Sequence, residues 1–250
     1  MIELRASREE WVRRAGPFYV LLVAAGLQTR LPLATGLSSS DDDGPRGALY
    51  LPLIGLGLGT LAAFIAAICS ELGLGAMVGA VVVSAAVVLA GGGWAEAALA
   101  SWAGQGLVRW RQAVGAEDGD GSDQLLTTVV IATLAILARV ACIASISTAS
   151  QTSILIGSLV LSRWTFGLRY RLQRRKSEKE VGTSWSGWLW DVLAGVTTSI
   201  VVGACLGAGG IVLMALALLA MWLHGRHSSS VAPARAVSIA SLVELVALLL

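Results

Sequence analysis

Arg139 sits inside the apolar stretch Leu125 to Ser147, where a charged side chain is costly unless it faces the interior of a helix bundle or a wet cavity. Such a residue is a candidate for binding a charged substrate. A structural ion pair, or a side chain that reaches back to the membrane interface, is the plain alternative. Two acids in or near other apolar stretches, Asp191 and Glu244, could neutralise it. More cations crowd into one short run: Arg169, Arg171, Arg174, Arg175, Lys176 and Lys179. That run suits a phosphorylated substrate, and it suits equally well a topology signal that meets anionic lipid headgroups. His224 and His227 stand three apart with no third ligand beside them, which argues against a metal site there. Cys69, Cys142 and Cys205 lie in three different apolar runs, with no CxxC pair, and read as small buried hydrophobes. Asp41, Asp42 and Asp43 precede Gly44 and Pro45 and read as a solvated turn.

The elements that must hold these residues are membrane helices. Of 250 residues 56% are hydrophobic and 14% charged, and the mean hydropathy is +0.75, well above a soluble domain's roughly 45–50% apolar usage. Alternating strand patterns are absent, so helices rather than a barrel must satisfy the backbone in lipid. The apolar runs predict an all-α polytopic bundle of about seven spans: Gly47 to Ser70, Leu72 to Ala90, Leu125 to Ser147, Ala149 to Leu168, Trp188 to Leu206, Gly209 to His224 and Val237 to Leu250. Pro17 to Leu27 is too short to cross and is expected to dip in and return. With that arrangement Arg5, Arg8, Arg13, Arg14, Arg30, Arg46, Arg109, Arg111, the 169–179 run, Arg226 and Arg235 all fall on the cytosolic side. The expected location is the inner (cytoplasmic) membrane, with lipid as a constant partner and no nucleic-acid surface. The net charge of +2 adds little to this.

Residues 1–250 form one membrane domain in this reading. Residues 91–124 combine an interfacial helix, with Trp94, Ala98, Leu99 and Trp102 on one face and Glu96 off it, and an acidic loop. Residues 169–187 are a basic cytosolic loop. Between Trp188 and Leu223 the only reversal available is at Gly207 to Gly210. The pairs Gly55/Gly59, Gly75/Gly79 and Gly203/Gly207 have the small-xxx-small spacing that lets helix backbones approach. Gly55-Leu56-Gly57-Leu58-Gly59 is no dinucleotide fingerprint, since no strand precedes it. A transport reading would use Arg139 and the glycine-broken stretch as a substrate path, but no internal repeat supports it.

Gln28-Thr29-Arg30-Leu31-Pro32-Leu33, Leu51-Pro52-Leu53-Ile54-Gly55-Leu56-Gly57-Leu58-Gly59, the glycines before Trp94, Ser162-Arg163-Trp164, and Ser241-Leu242-Val243-Glu244-Leu245-Val246 follow one another along nearly the whole chain. In this order they resemble the adenosylcobinamide-GDP ribazoletransferase family, the cobalamin synthases. The resemblance implies a polytopic inner-membrane enzyme that joins α-ribazole, or its phosphate, to adenosylcobinamide-GDP and releases GMP. It also implies Mg2+ to neutralise the phosphate oxygens, held by Asp or Glu.

The family's stretch after its double glycine reads roughly Phe-His-Leu-Asp-Gly-Leu-Ala-Asp-x-x-Asp-Gly. Laid on this chain without gaps, the aromatic falls on Trp94, the histidine on Ala95 and the three aspartates on Ala97, Ser101 and Gly104. The family's C-terminal Thr-Gly-Asp falls on Ala232, Pro233 and Ala234, and its Arg-Asp-Ser-Arg segment falls near Asp118 to Asp123. The acids left to hold Mg2+ are Glu96, Asp118, Asp120 and Asp123, on a helix and the loop that follows it. Arg163, with Arg139 or the basic run, is the candidate for the nucleotide phosphates. Two functions are open at this point. One is the transferase, acting on adenosylcobinamide-GDP and α-ribazole. The other is an inactive relative that holds a corrinoid or organises corrinoid-assembly proteins in the membrane.

Overall fold

The computed structural model describes residues 18–28, 47–93, 96, 121–177, 185–227 and 242–249. Among them every regular element is a helix: α1 Phe18–Gln28, a 3-10 turn Ala48–Tyr50, α2 Leu51–Glu71, α3 Ala76–Gly91, α4 Gly121–Ser145, α5 Thr148–Ser177, α6 Trp185–His227 and a short α7 at 242–247. The all-helical bundle expected from the sequence is the fold observed. Ala48–Glu71, Leu125–Ser145 and Val192–Leu219 are long and apolar enough to cross a membrane, and Ala76–Gly91 is a shorter apolar helix. At 11 residues, α1 is about 16 Å long, about half of a bilayer's hydrocarbon core. It suits an entry segment that does not span.

Pro52 stands in the first turn of α2, where its missing N–H leaves no hydrogen bond unmade. The helix ends where Gly73 turns left-handed (φ 67°) and Leu74 N–H bonds back to the Cys69 carbonyl at 3.0 Å. After that turn α3 returns along α2, with the Gly79 backbone against Cys69. Its exit explains the glycine run. Gly92 and Gly93 are both left-handed, at φ 73° and 63°, and Gly93 N–H bonds to the Val88 carbonyl at 2.8 Å. Two successive left-handed residues would each carry a steric cost with any side chain.

α5 is the centre of the bundle. From 157 to 167 every residue is buried. α2 crosses it antiparallel, with Gly59 facing Ile156, Gly55 facing Leu159 and Val160, and Gly167 facing the Ala48 carbonyl. A Cβ at Gly55 would come within 2.6 Å of the Leu159 carbonyl oxygen, and one at Gly59 within 2.7 Å of Ile156 Cα, so these two glycines set the helix separation. On the opposite side Gly157 meets Cys205 and Leu206 of α6. Of the three small-xxx-small pairs, Gly55/Gly59 alone joins two helices at both positions. A Cβ at Gly75 or Gly207 would meet nothing within 4 Å.

Two helical stretches meet within α6 at Gly207, where φ is 62° and ψ −151°. Ser199 Oγ lies 3.5 Å from Met214 Sδ, and Gly203 and Gly210 pack against Ile211 and Val202. A straight helix would separate residues 199 and 214 by about 22 Å along its axis. The chain therefore folds back into two antiparallel arms, as the expected reversal at Gly207 requires. Both arms enter one apolar cluster: Val202 from the first, Leu213, Met214 and Ala217 from the second, packed with Val160, Leu161 and Trp164 of α5 and Val243 and Ala247 of α7. A second cluster joins α2, α3, α4 and α5 through residues such as Ala62, Val83, Ile143 and Leu159.

α5 differs from expectation in its extent and in its composition. α5 runs on to Ser177, so the basic run begins as helix rather than loop. And α5 is not among the helices apolar enough to cross a membrane by composition. Its neighbours shield it from lipid, so its buried Ser158, Ser162, Arg163 and Thr165 need not be apolar. Thr165 Oγ1 donates to the Leu161 carbonyl at 2.8 Å, which satisfies it inside its own helix.

Candidate functional site

Among the described residues the apolar clusters leave a polar interior where α3, α4, α5 and α7 meet. Arg139, on the buried face of α4, reaches two carboxylates at once. One Nη pairs with Glu96, three residues past the glycine exit of α3. Nη2 lies 2.8 Å from Glu244 Oε1 on α7. Glu96 and Glu244 are themselves buried, and Glu244 is 2% exposed. A charge in this position is tolerable because it is paired on both sides.

Arg163, on the central helix one turn from the Gly55 crossing, completes the cluster. It is 4% exposed. Its Cγ lies against Gly55, and its Nη2 reaches the end of α3, where a Cβ on Gly91 would stand 3.4 Å away. That end carries the negative pole of the α3 dipole, a favourable place for a guanidinium. Glu244, Glu96 and Arg139 all act on it electrostatically. Arg163 Nε has no hydrogen-bond partner, nor do Arg139 Nε, Glu244 Oε2 and the neighbouring Ser162 Oγ. Two guanidinium groups and two carboxylates thus form a neutral cluster with unspent polar atoms. Such atoms are costly when buried and unmet, so they are the natural contacts of a polar ligand.

Of the sequence candidates, Arg139, Arg163 and Glu96 are brought together here. Arg139 finds Glu244, one of the two acids expected for it. Asp191 lies on α6 with its side chain outside the described residues, and so does that of Asp123 in the first turn of α4. Asp118 and Asp120 lie outside the described residues altogether, as do Trp94, Ala97, Ser101, Trp102 and Gly104. Glu96, expected as a ligand for Mg2+ off the apolar face of an interfacial helix, is instead turned to Arg139. Mg2+ asks for several oxygen ligands at near-octahedral geometry. Among the described residues no three metal-ligating side chains gather, and each of the two buried carboxylates already faces a cation.

The basic run is partly interior as well. Arg169 is buried with its Nε unpartnered, while Arg171 makes contacts of its own. The side chains of Arg174, Arg175 and Lys176, and of His224 and His227, are outside the described residues, and Lys179 lies beyond them entirely. The cysteines are free, with Cys69 and Cys142 buried and Cys205 half-buried.

Two polar residues named in the sequence only as parts of motifs, and not as site candidates, are buried here. Gln28, in the last turn of α1, is 2% exposed with neither amide atom bonded. Ser162, next to Arg163, is equally hidden. The signal available was a polar side chain inside an apolar run.

Neither a curated protein nor a solved structure matches the chain. Residues 20–102 match the family model described as cobalamin-5-phosphate synthase, a stretch from α1 through α2 and α3 to beyond Glu96. The match covers 83 of the 250 residues, and over that stretch the chain is similar to the cobalamin synthase family.

Proposed function

We propose that this protein binds adenosylcobinamide-GDP in the inner membrane, at the step where α-ribazole or its phosphate is joined with release of GMP, and that it holds the corrinoid without carrying out Mg2+-dependent transfer. The observation that carries this reading is the pairing of Glu96 with Arg139. Glu96 is the one carboxylate between Trp94 and Gln105, and the positions aligned with the family's aspartates are Ala97, Ser101 and Gly104. Phosphoryl transfer relies on positioned charge. Loss of a single preorganised electrostatic group costs about 100- to 1,000-fold in rate, and loss of a metal site removes several. Arg163 is kept, buried and with an open Nε, and a guanidinium meets phosphate oxygens in a planar fork. The arginine-rich segments are cytosolic in this reading, on the side where a nucleotide is available.

A second reading keeps the transferase itself. The acidic run Glu117 to Asp123 leads into the first turn of α4 and would supply the ligands for Mg2+. Assay of GMP release from adenosylcobinamide-GDP and α-ribazole by the purified chain in nanodiscs separates the two. Saturable binding of adenosylcobinamide-GDP with no GMP released, with or without Mg2+, is the expected outcome. Mg2+-dependent release of GMP that falls on Asp120→Ala and Asp123→Ala would establish the transferase.

A further inference from the structure

The cluster of Arg139, Arg163, Glu96 and Glu244 balances two positive charges against two negative ones, and the two acids differ in how they are held. Glu244 belongs to α7, whose Val243 and Ala247 are fixed in the core. Glu96 stands three residues beyond Gly93, after two left-handed glycines whose backbone carries no side chain to restrict its rotation. The guanidinium of Arg163 has its Nε unpartnered and its Nη2 directed at the end of α3 from which that glycine pair departs.

We propose that Glu96 is an internal stand-in for an anionic ligand: a phosphate group entering between Arg139 and Arg163 takes the place of the Glu96 carboxylate on Arg139, and Glu96 swings away about Gly92 and Gly93. Charge balance favours the exchange, because a departing carboxylate leaves the cluster with one net positive charge that a phosphate oxygen neutralises. The open Nε of Arg163 and of Arg139 and the Ser162 hydroxyl give the incoming oxygens donors that Glu96 does not use. The resting contact is thus self-inhibitory. Glu244 stays in place and keeps Arg139 oriented. This inference rests on the proposed function only for the carrier of the phosphate, a nucleotide diphosphate ester.

The test uses the full chain in phosphatidylcholine nanodiscs and inorganic pyrophosphate as the probe. Glu96→Gln, which removes the competing charge and keeps the shape, is expected to bind pyrophosphate at least about tenfold more tightly than the unaltered protein, one factor of ten being about 1.4 kcal/mol. Adding Arg163→Met to Glu96→Gln abolishes that binding. Pyrophosphate bound equally or more weakly by Glu96→Gln, or by neither protein, overturns the proposal. Should Glu96→Gln fail to fold, the unaltered chain decides. Labelling of Glu96 by a hydrophobic carbodiimide, read by mass spectrometry, must rise when pyrophosphate is added, and unchanged labelling overturns the proposal. Nanodiscs containing phosphatidic acid form a second arm. A rise in Glu96 labelling on that lipid alone would make the headgroup, not a soluble phosphate, the occupant. If pyrophosphate displaces Glu96 while adenosylcobinamide-GDP does not bind, the corrinoid reading fails and the exchange stands.

Discussion

Arg139 Nη2 lies 2.8 Å from Glu244 Oε1, tying the fourth helix of the bundle to the last helical turns of the chain. The same guanidinium holds Glu96, so one side chain fixes three segments that are far apart in sequence.

Arg139→Met should therefore be among the most damaging single changes. It leaves Glu96 and Glu244 buried with no direct cation, and breaking a buried pair by removing one partner costs about 3–5 kcal/mol. Unfolding in detergent, followed by tryptophan fluorescence, measures the loss. Adding Glu96→Gln and Glu244→Gln should restore part of it, since the uncompensated charges are then gone.

Gly55→Val should separate α2 from α5. Its Cβ would stand 2.6 Å from a carbonyl oxygen and 2.9 Å from Val160 Cα, both backbone atoms that cannot step aside. Overpacking of this kind costs about 1–3 kcal/mol. Gly57, two residues on, meets nothing within 4 Å. Gly57→Ala should be neutral or raise stability by up to about 1 kcal/mol through helix propensity. Thermal inactivation of the two variants side by side tests the contrast.

Gly207→Ala should strain the reversal of α6. There is room for a methyl group, but φ 62° with ψ −151° is a conformation that residues with a Cβ scarcely adopt. The cost is about 1–3 kcal/mol. Gly195→Ala, in open space within the same helix, should cost nothing. Equal melting temperatures for the two variants would contradict the backbone assignment.

The fold-back itself predicts a cross-link. With Cys205 replaced by serine, cysteines introduced as Ser199→Cys and Met214→Cys should form a disulfide under mild oxidation, because the native side chains touch at 3.5 Å. A straight α6 would leave Ser199→Cys and Met214→Cys reduced at every oxidant concentration.

The bundle was legible in the sequence because membrane crossing imposes a composition. Apolar runs marked α2, α3 and α4, and four clustered small residues marked the reversal of α6. The cost of an unpaired charge in lipid implied a buried, paired Arg139 but left Glu244 and Asp191 both open as its partner; the structure pairs it with Glu244. The place of Glu96 did not follow. Helical periodicity put it off the apolar face of an interfacial segment, yet the left-handed Gly92 and Gly93 redirect the chain before it, and a long-range cation decides where it points. Arg163 was singled out only by resemblance, since its burial depends on α2 and α3 closing over α5 through Gly55 and Gly91. The extent of α5 was also underestimated, because the basic run after Leu168 carries no apolar signal although it continues the helix to Ser177.

The most direct measurement is equilibrium binding of adenosylcobinamide-GDP to the nanodisc-embedded chain, before and after removal of divalent ions with a chelator, for the unaltered protein and Arg163→Met. Binding that survives chelation and weakens at least about tenfold in Arg163→Met, about 1.4 kcal/mol, is the expected result. Binding that vanishes with the divalent ion, or that is indifferent to Arg163, would contradict a corrinoid site built on buried arginines rather than on metal.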